Sequence, residues 1–173
     1  MKIMILLFVL ACTPKSDEAF KSEAQEYIKP FKVELMSALT TGIKEKGPLE
    51  AMHSCNVLAP EIQKKFEMEH LSIGRTSHKI RNPKNEPAEW LKPLLEDYKN
   101  SNAKNPIEGK VVKGTGYMAY VEPIYVQQIC LTCHGKDIPD GLREGILSKY
   151  PGDQAIGFSE GEFRGLFWVR KEI

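Results

Sequence analysis

Hydrophobic positions recur at spacings of three and four through the first third of the chain and alternate later, a pattern that predicts helices followed by a sheet. Phe20, Ala24, Tyr27, Phe31, Leu35, Ala38 and Gly42 make one apolar stripe along a helix over 17–46. Pro30 falls inside it and predicts a kink or broken turn, because proline removes a backbone donor and crowds the preceding turn. Gly47-Pro48 ends this helix, and Pro48 suits the first turn of a second. The second helix is expected to run to about Ala59 and close at Pro60. Its apolar face carries Leu49, Met52, Cys55 or Asn56, and Ala59, with His53 turned away.

Residues 69–77 read as a short strand and 81–87 as a turn-rich loop. A helix opening at Pro87 or Ala88 carries Trp90, Leu91, Leu94, Leu95 and Tyr98. Two strands follow near 109–114 and 116–126, joined at Gly114-Thr115-Gly116. Residues 141–150 read as a short helix. The end of the chain reads as a hairpin, 155–158 against 163–170, with a turn at 159–162. Helices first, then an antiparallel sheet with inserted short helices, make an α+β domain.

Between the second strand pair and the short helix stands Cys130-Leu131-Thr132-Cys133-His134, the attachment signature for c-type haem. Two thiols on one helical turn can add to the two vinyl groups, and the adjacent histidine then faces the iron. A redox-active thiol pair and half of a zinc site are the competing readings of C-x-x-C. Zinc needs four nitrogen or sulfur ligands at close spacing, and no second paired cluster is present.

The N-terminus suits export. Met1-Lys2, an apolar run from Ile3 to Ala11 and then Cys12 form a secretory signal too short to span a bilayer permanently. Val9-Leu10-Ala11-Cys12 resembles the lipobox of bacterial lipoproteins, which implies removal of residues 1–11, acylation of Cys12 and a lipid-held protein on the periplasmic side. Thr13 after the cysteine favours the outer membrane. The expected division is a signal over 1–11, a tether with the long helix over 12–46, and the haem-binding domain over 47–173. Loss of Lys2 takes the formal net charge from +1 to zero. No basic block or basic-aromatic stripe is present, which argues against nucleic acid. With 42% hydrophobic residues the chain can bury a core.

Four cysteines sharpen the reading. With Cys12 acylated and Cys130 and Cys133 on haem, Cys55 has no disulfide partner in an oxidising compartment, which suggests a ligating thiol. Residues 135–173 hold no Met, His or Cys, so a strong second axial ligand must come from upstream unless it is a lysine or water. The candidates are Met36, Met52, His53, Cys55, Met68, His70, His78 and Met118. Cys55 ranks first for its place on the apolar face, and His53 next.

Several motifs in order resemble the PAS-like c-type haem domains of bacterial sensors and exported proteins, long a domain of unknown function. They are 47–51 through Cys55-Asn56 to Ala59-Pro60, 73–77, 81–85 with Trp90, 130–135, and Gly157-Phe158 with Arg164-Gly165. The resemblance spans nearly the whole exported chain. It implies a PAS-like α+β fold and one covalent haem c, six-coordinate through His134 and a thiolate from Cys55. Arg75 and Arg81 are candidate partners for the haem propionates, since guanidinium matches carboxylate bidentately.

Two functions suit these features. One is a redox or gas-sensing haem module, in which thiolate ligation lowers the reduction potential and reduction opens a site for a diatomic gas. The other is a small periplasmic electron-transfer cytochrome serving a separate redox partner. No general-base constellation stands beside the motif, so an enzyme is not expected.

Overall fold

The structure, a computed structural model, describes residues 16–173. The signal segment and Cys12 lie outside the described residues, as does the side chain of Cys55. Helix α1 (Asp17–Phe66) begins where the Ser16 hydroxyl accepts the Ala19 N–H at 3.2 Å, with Asp17 and Glu18 in its first turn. Acidic groups there complement the helix dipole, as Lys64 and Lys65 do at the other end. Inside α1 only Gly47 leaves helical geometry, at φ 79° and ψ 167°, a region essentially confined to glycine that costs a side-chain-bearing residue about 1–3 kcal/mol. There the helix folds back on itself. Phe31 meets Phe66 edge to face at 5.7 Å, and Glu34 pairs with Lys65.

No turn breaks at Pro30, and the second half of α1 passes through Pro60 to Phe66 instead of stopping there. Packing explains both departures. Ile28 and Phe31 flank Pro30 and are fully buried, and Ile62 and Phe66 follow Pro60 into the same core. Each such side chain is worth about 1.5–3 kcal/mol, enough to offset the roughly 3 kcal/mol of an interior proline. The buried stripe is Phe20, Ala24, Ile28 and Phe31, with Tyr27 at its margin.

Strands β1 (Leu71–Thr76), β2 (Lys110–Gly114), β3 (Tyr117–Tyr125) and β4 (Phe163–Glu172) form one antiparallel sheet in the order β1-β4-β3-β2. Alternation along each strand gives the sheet two buried faces. Ile73, Met118, Tyr120 and Val169 face α1. Val121, Leu166 and Trp168 face α2 (Lys92–Tyr98), which brings Leu94, Leu95 and Tyr98. The α+β class expected from the sequence is the class observed.

The β3–β4 connection runs from 126 to 162 although its two strands are neighbours. It holds a 3-10 turn at Gln128–Cys130, the single-turn α3 (Leu131–His134) and α4 (Asp140–Lys149). The expected hairpin of 155–158 with 163–170 does not form. The Gly157 and Phe158 amides bond instead to the Gly135 and His134 carbonyls, each at 3.0 Å. Strand β4 is already paired on both edges, by β1 and β3, so no edge remains for 155–158. The 159–162 turn is present, with the Glu162 N–H on the Ser159 carbonyl.

Candidate functional site

Cys130 caps α3 and Cys133 lies on the same turn, one residue before His134. Both cysteines are half-buried and outside any disulfide. The turn is pinned by its neighbours. Cys133 packs against a small core of Met52 from α1 with Leu142, Ile146 and Tyr150, alongside Leu49 and Ile138. Its carbonyl accepts Arg81 Nη2 at 2.5 Å. Leu49 lies so close to Gly145 that a Cβ there would stand 2.1 Å from Leu49 Cδ1. Thus the second half of α1, α3 and α4 form one packed unit beside the sheet.

His134 Nδ1 lies 2.6 Å from the Ala155 carbonyl. A carbonyl only accepts, so Nδ1 carries the proton and the Nε2 lone pair is available. Nε2 has no hydrogen-bond partner among the described residues. Burial, with the charges of Arg164 and Arg81, holds the imidazole pKa down to about 3, against the opposing pull of the Ala155 carbonyl. The ring is therefore neutral with an unprotonated Nε2, the state a metal ligand requires. Phe158 stands edge-on to it at 6.4 Å.

Behind His134 lies a charged clamp. Asp153, with a fully buried side chain, takes Arg81 Nε at 3.0 Å and Nη2 at 3.2 Å, Arg143 Nη1 at 3.0 Å and the Ala155 N–H at 2.9 Å. Burial pushes its carboxyl pKa up, but Arg81 and the Ala155 N–H more than offset that, and the net shift is downward. Arg81 also donates to the Ala155 carbonyl at 3.2 Å. One guanidinium thus joins the C-x-x-C turn, the buried carboxylate and the carbonyl that orients His134.

A family model described as Tll0287-like matches residues 13–171. The chain belongs to the Tll0287-like family. A solved structure of the same fold is the cyanobacterial heme-protein Tll0287, 23% identical over 91% of this chain and 97% of that one, with a TM-score of 0.65. No curated protein matches the chain.

The Tll0287-like fold brings some of the sequence candidates together and separates others. Met118 is core under the sheet. Met36, Met68 and His70 are exposed, and His78 lies stacked on Phe163. Position 55 lies on the helix α1, and its side chain is outside the described residues; Met52, on the same helix, packs beside Cys133. His53 sets Nδ1 3.9 Å from Glu50, while its Nε2 is buried without a partner. Arg81 is engaged by Asp153, and Arg75 lines a cavity of about 210 Å³ beside Trp90 and Trp168.

Three site residues were not singled out from the sequence of this Tll0287-like chain: Asp153, Arg143 and Arg164. Arg164 had a signal, since Arg164-Gly165 is one of its matching motifs. Asp153 and Arg143 had none, because a lone carboxylate after a helix reads as an ordinary turn residue.

Proposed function

We propose that the chain is an exported haem-binding protein that carries one haem c and acts as a redox or gas-sensing module. Cys130 and Cys133 hold the haem by thioether bonds, His134 is the proximal iron ligand and Cys55 the distal one. Cys12 carries the lipid that keeps the protein at the periplasmic face of the outer membrane. The donor set fits the group. Two thiols outside any disulfide share a turn with a neutral imidazole whose Nε2 has no hydrogen-bond partner among the described residues. That oriented histidine is the observation that carries the reading. Membership of a family with a heme-protein of the same fold supports it. The haem would supply one-electron chemistry and, with a ligand released, a site for a small gas.

This chain's residues would do the rest. Ala155 fixes the His134 tautomer, and its pull on the Nδ1 proton makes Nε2 a stronger donor. Asp153, Arg81 and Arg143 keep that carbonyl in place. A thiolate from position 55 would favour ferric iron and a low potential.

The test is full-length protein made with haem-attachment machinery. It should hold one haem per chain that survives acidified acetone, and Cys130→Ala with Cys133→Ala should abolish this. Cys55→Ser should change the low-spin ferric spectrum and raise the potential, while His53→Ala should do neither. The reverse pattern would assign the distal site to His53. Reduction under carbon monoxide separates the two functions: gas binding supports sensing, and a reversible couple with both ligands retained supports electron transfer to a partner protein.

A further inference from the structure

We propose that Arg164 is the anchor for a haem propionate, an assignment that rests on the haem reading above and adds a residue to it. Three independent observations carry it.

The first is backbone geometry. In the β3–β4 ladder Ile124 pairs with Gly165 and Tyr125 with Phe163, so Arg164 is the extra residue of a bulge. A bulge turns a side chain out of the strand's alternation, and bulges concentrate beside functional sites. Gly165 makes the bulge feasible against β1, because a Cβ there would stand 2.1 Å from the Thr76 carbonyl.

The second is the company the guanidinium keeps. Nη1 donates to Ser77 Oγ at 2.6 Å and to the Lys79 carbonyl at 3.1 Å. The Ser77 hydroxyl in turn donates to the Arg164 carbonyl at 2.6 Å. Both Nη1 acceptors are neutral, and among the described residues no carboxylate pairs with Arg164. The nearby Asp153 is already shared by Arg81 and Arg143. Arg75 and Arg81 add like charge around it. A cation desolvated to this degree is costly without an anion. Burial together with those two arginines lowers its pKa to about 10, which agrees with an uncompensated charge.

The third is direction. The guanidinium carbon lies 5.2 Å from the Phe158 ring, and Phe158 stands edge-on to His134. Nη1 is fixed on the Ser77 side, while Nε and Nη2 have no partner among the described residues. Two donors of the fork are therefore unused, one aromatic ring away from His134. That is the fork a carboxylate accepts bidentately. Haem c brings two carboxylates and would balance the excess.

The experiment uses the haem-loaded full chain. Haem content per chain is measured first, so a colourless product sinks the haem reading and not this assignment alone. The midpoint potential is then followed against pH in wild type, Arg164→Gln, Arg164→Lys and Arg75→Gln. An arginine beside a carboxylate holds its ionisation down by roughly one unit or more. The propionate-linked break in the profile should therefore move up by about one pH unit or more in Arg164→Gln. It should stay near wild type in Arg164→Lys and in Arg75→Gln. An unchanged profile in a well-loaded Arg164→Gln overturns the assignment, as does a break that moves only in Arg75→Gln. If Arg164→Gln does not accumulate, an Arg164→Lys protein with the wild-type profile shows that charge is what the site needs. Failure of the lysine variant as well means that shape rules there, and the assignment falls.

Discussion

Removing the Asp153 carboxylate is the sharpest perturbation of the clamp behind His134. Asp153→Ala leaves Arg81 without its ion pair where only 11% of that side chain is exposed, and leaves Arg143 with 30% exposed. It also strands the Ala155 N–H, whose carbonyl orients the imidazole. Breaking a buried pair by deleting one partner costs about 3–5 kcal/mol, since the survivor stays desolvated. Arg143 can turn to water and adds little. Against a total stability of about 5–15 kcal/mol this is a large loss. For a domain of this size it lowers Tm by roughly 6–20 °C. Asp153→Asn keeps an acceptor for Arg81 and the Ala155 N–H, so its loss should be about half as large. The assay is urea unfolding of the full chain by far-ultraviolet circular dichroism, with the slope checked for constancy. Asp97→Ala, which removes the exposed pair with Lys110, is the control and should cost less than about 1 kcal/mol. If Asp153→Ala costs no more than that control, the clamp is not what holds the site together.

Two glycine substitutions separate close approach from backbone conformation. Gly47→Ala, with open space around it, tests backbone strain alone and should cost about 1–3 kcal/mol, while Gly165→Ala should cost more because its Cβ also meets the Thr76 carbonyl; equal losses would contradict the close β1–β4 approach. A haem-free chain should lose stability as pH falls from about 6.5 toward 3, because the folded state holds His134 deprotonated and unfolding lets it bind a proton; a His134→Gln version should show a weaker slope over that window, and an equal slope refutes the assignment. Cys12→Ala should release the protein from membranes with its haem intact, whereas an unmodified N-terminus found by mass spectrometry at another residue removes the lipid anchor.

Local signals carried much of the architecture. The Gly47-Pro48 break and the strands near 71, 110 and 117 were legible from spacing and turn chemistry. So was the C-x-x-C-H turn, because all its chemistry lies within one turn of chain. What escaped depends on partners far away in sequence. Pro60 reads as a stop until Ile62 and Phe66 find the sheet. Residues 155–158 read as a strand until β4 is seen to be paired on both edges. The bulge at Arg164 is a property of two strands, and no single-strand pattern announces it. Tyr27 and Ile28 compete for one stripe, and only the sheet's position decides that Ile28 goes deeper.

The location of the C-x-x-C-H turn between two hydrogen-bonded neighbours also has a kinetic meaning. The β2–β3 pair closes over a tight turn and can form as soon as it is made, whereas β3 and β4 must find each other across residues 126–162. A loop about eighteen times longer adds roughly 2.6 kcal/mol of closure entropy. Strand β4 is translated after the motif, and β1 has no sheet partner until β4 arrives. The nascent chain therefore passes through a stage in which the paired thiols are displayed on an open segment while the sheet is still incomplete. An attachment machinery that must handle both sulfurs and the neighbouring ring would find them accessible then. Sheet closure afterwards draws the Phe158 segment onto the His134 carbonyl. The order of assembly is in this sense written into the strand order.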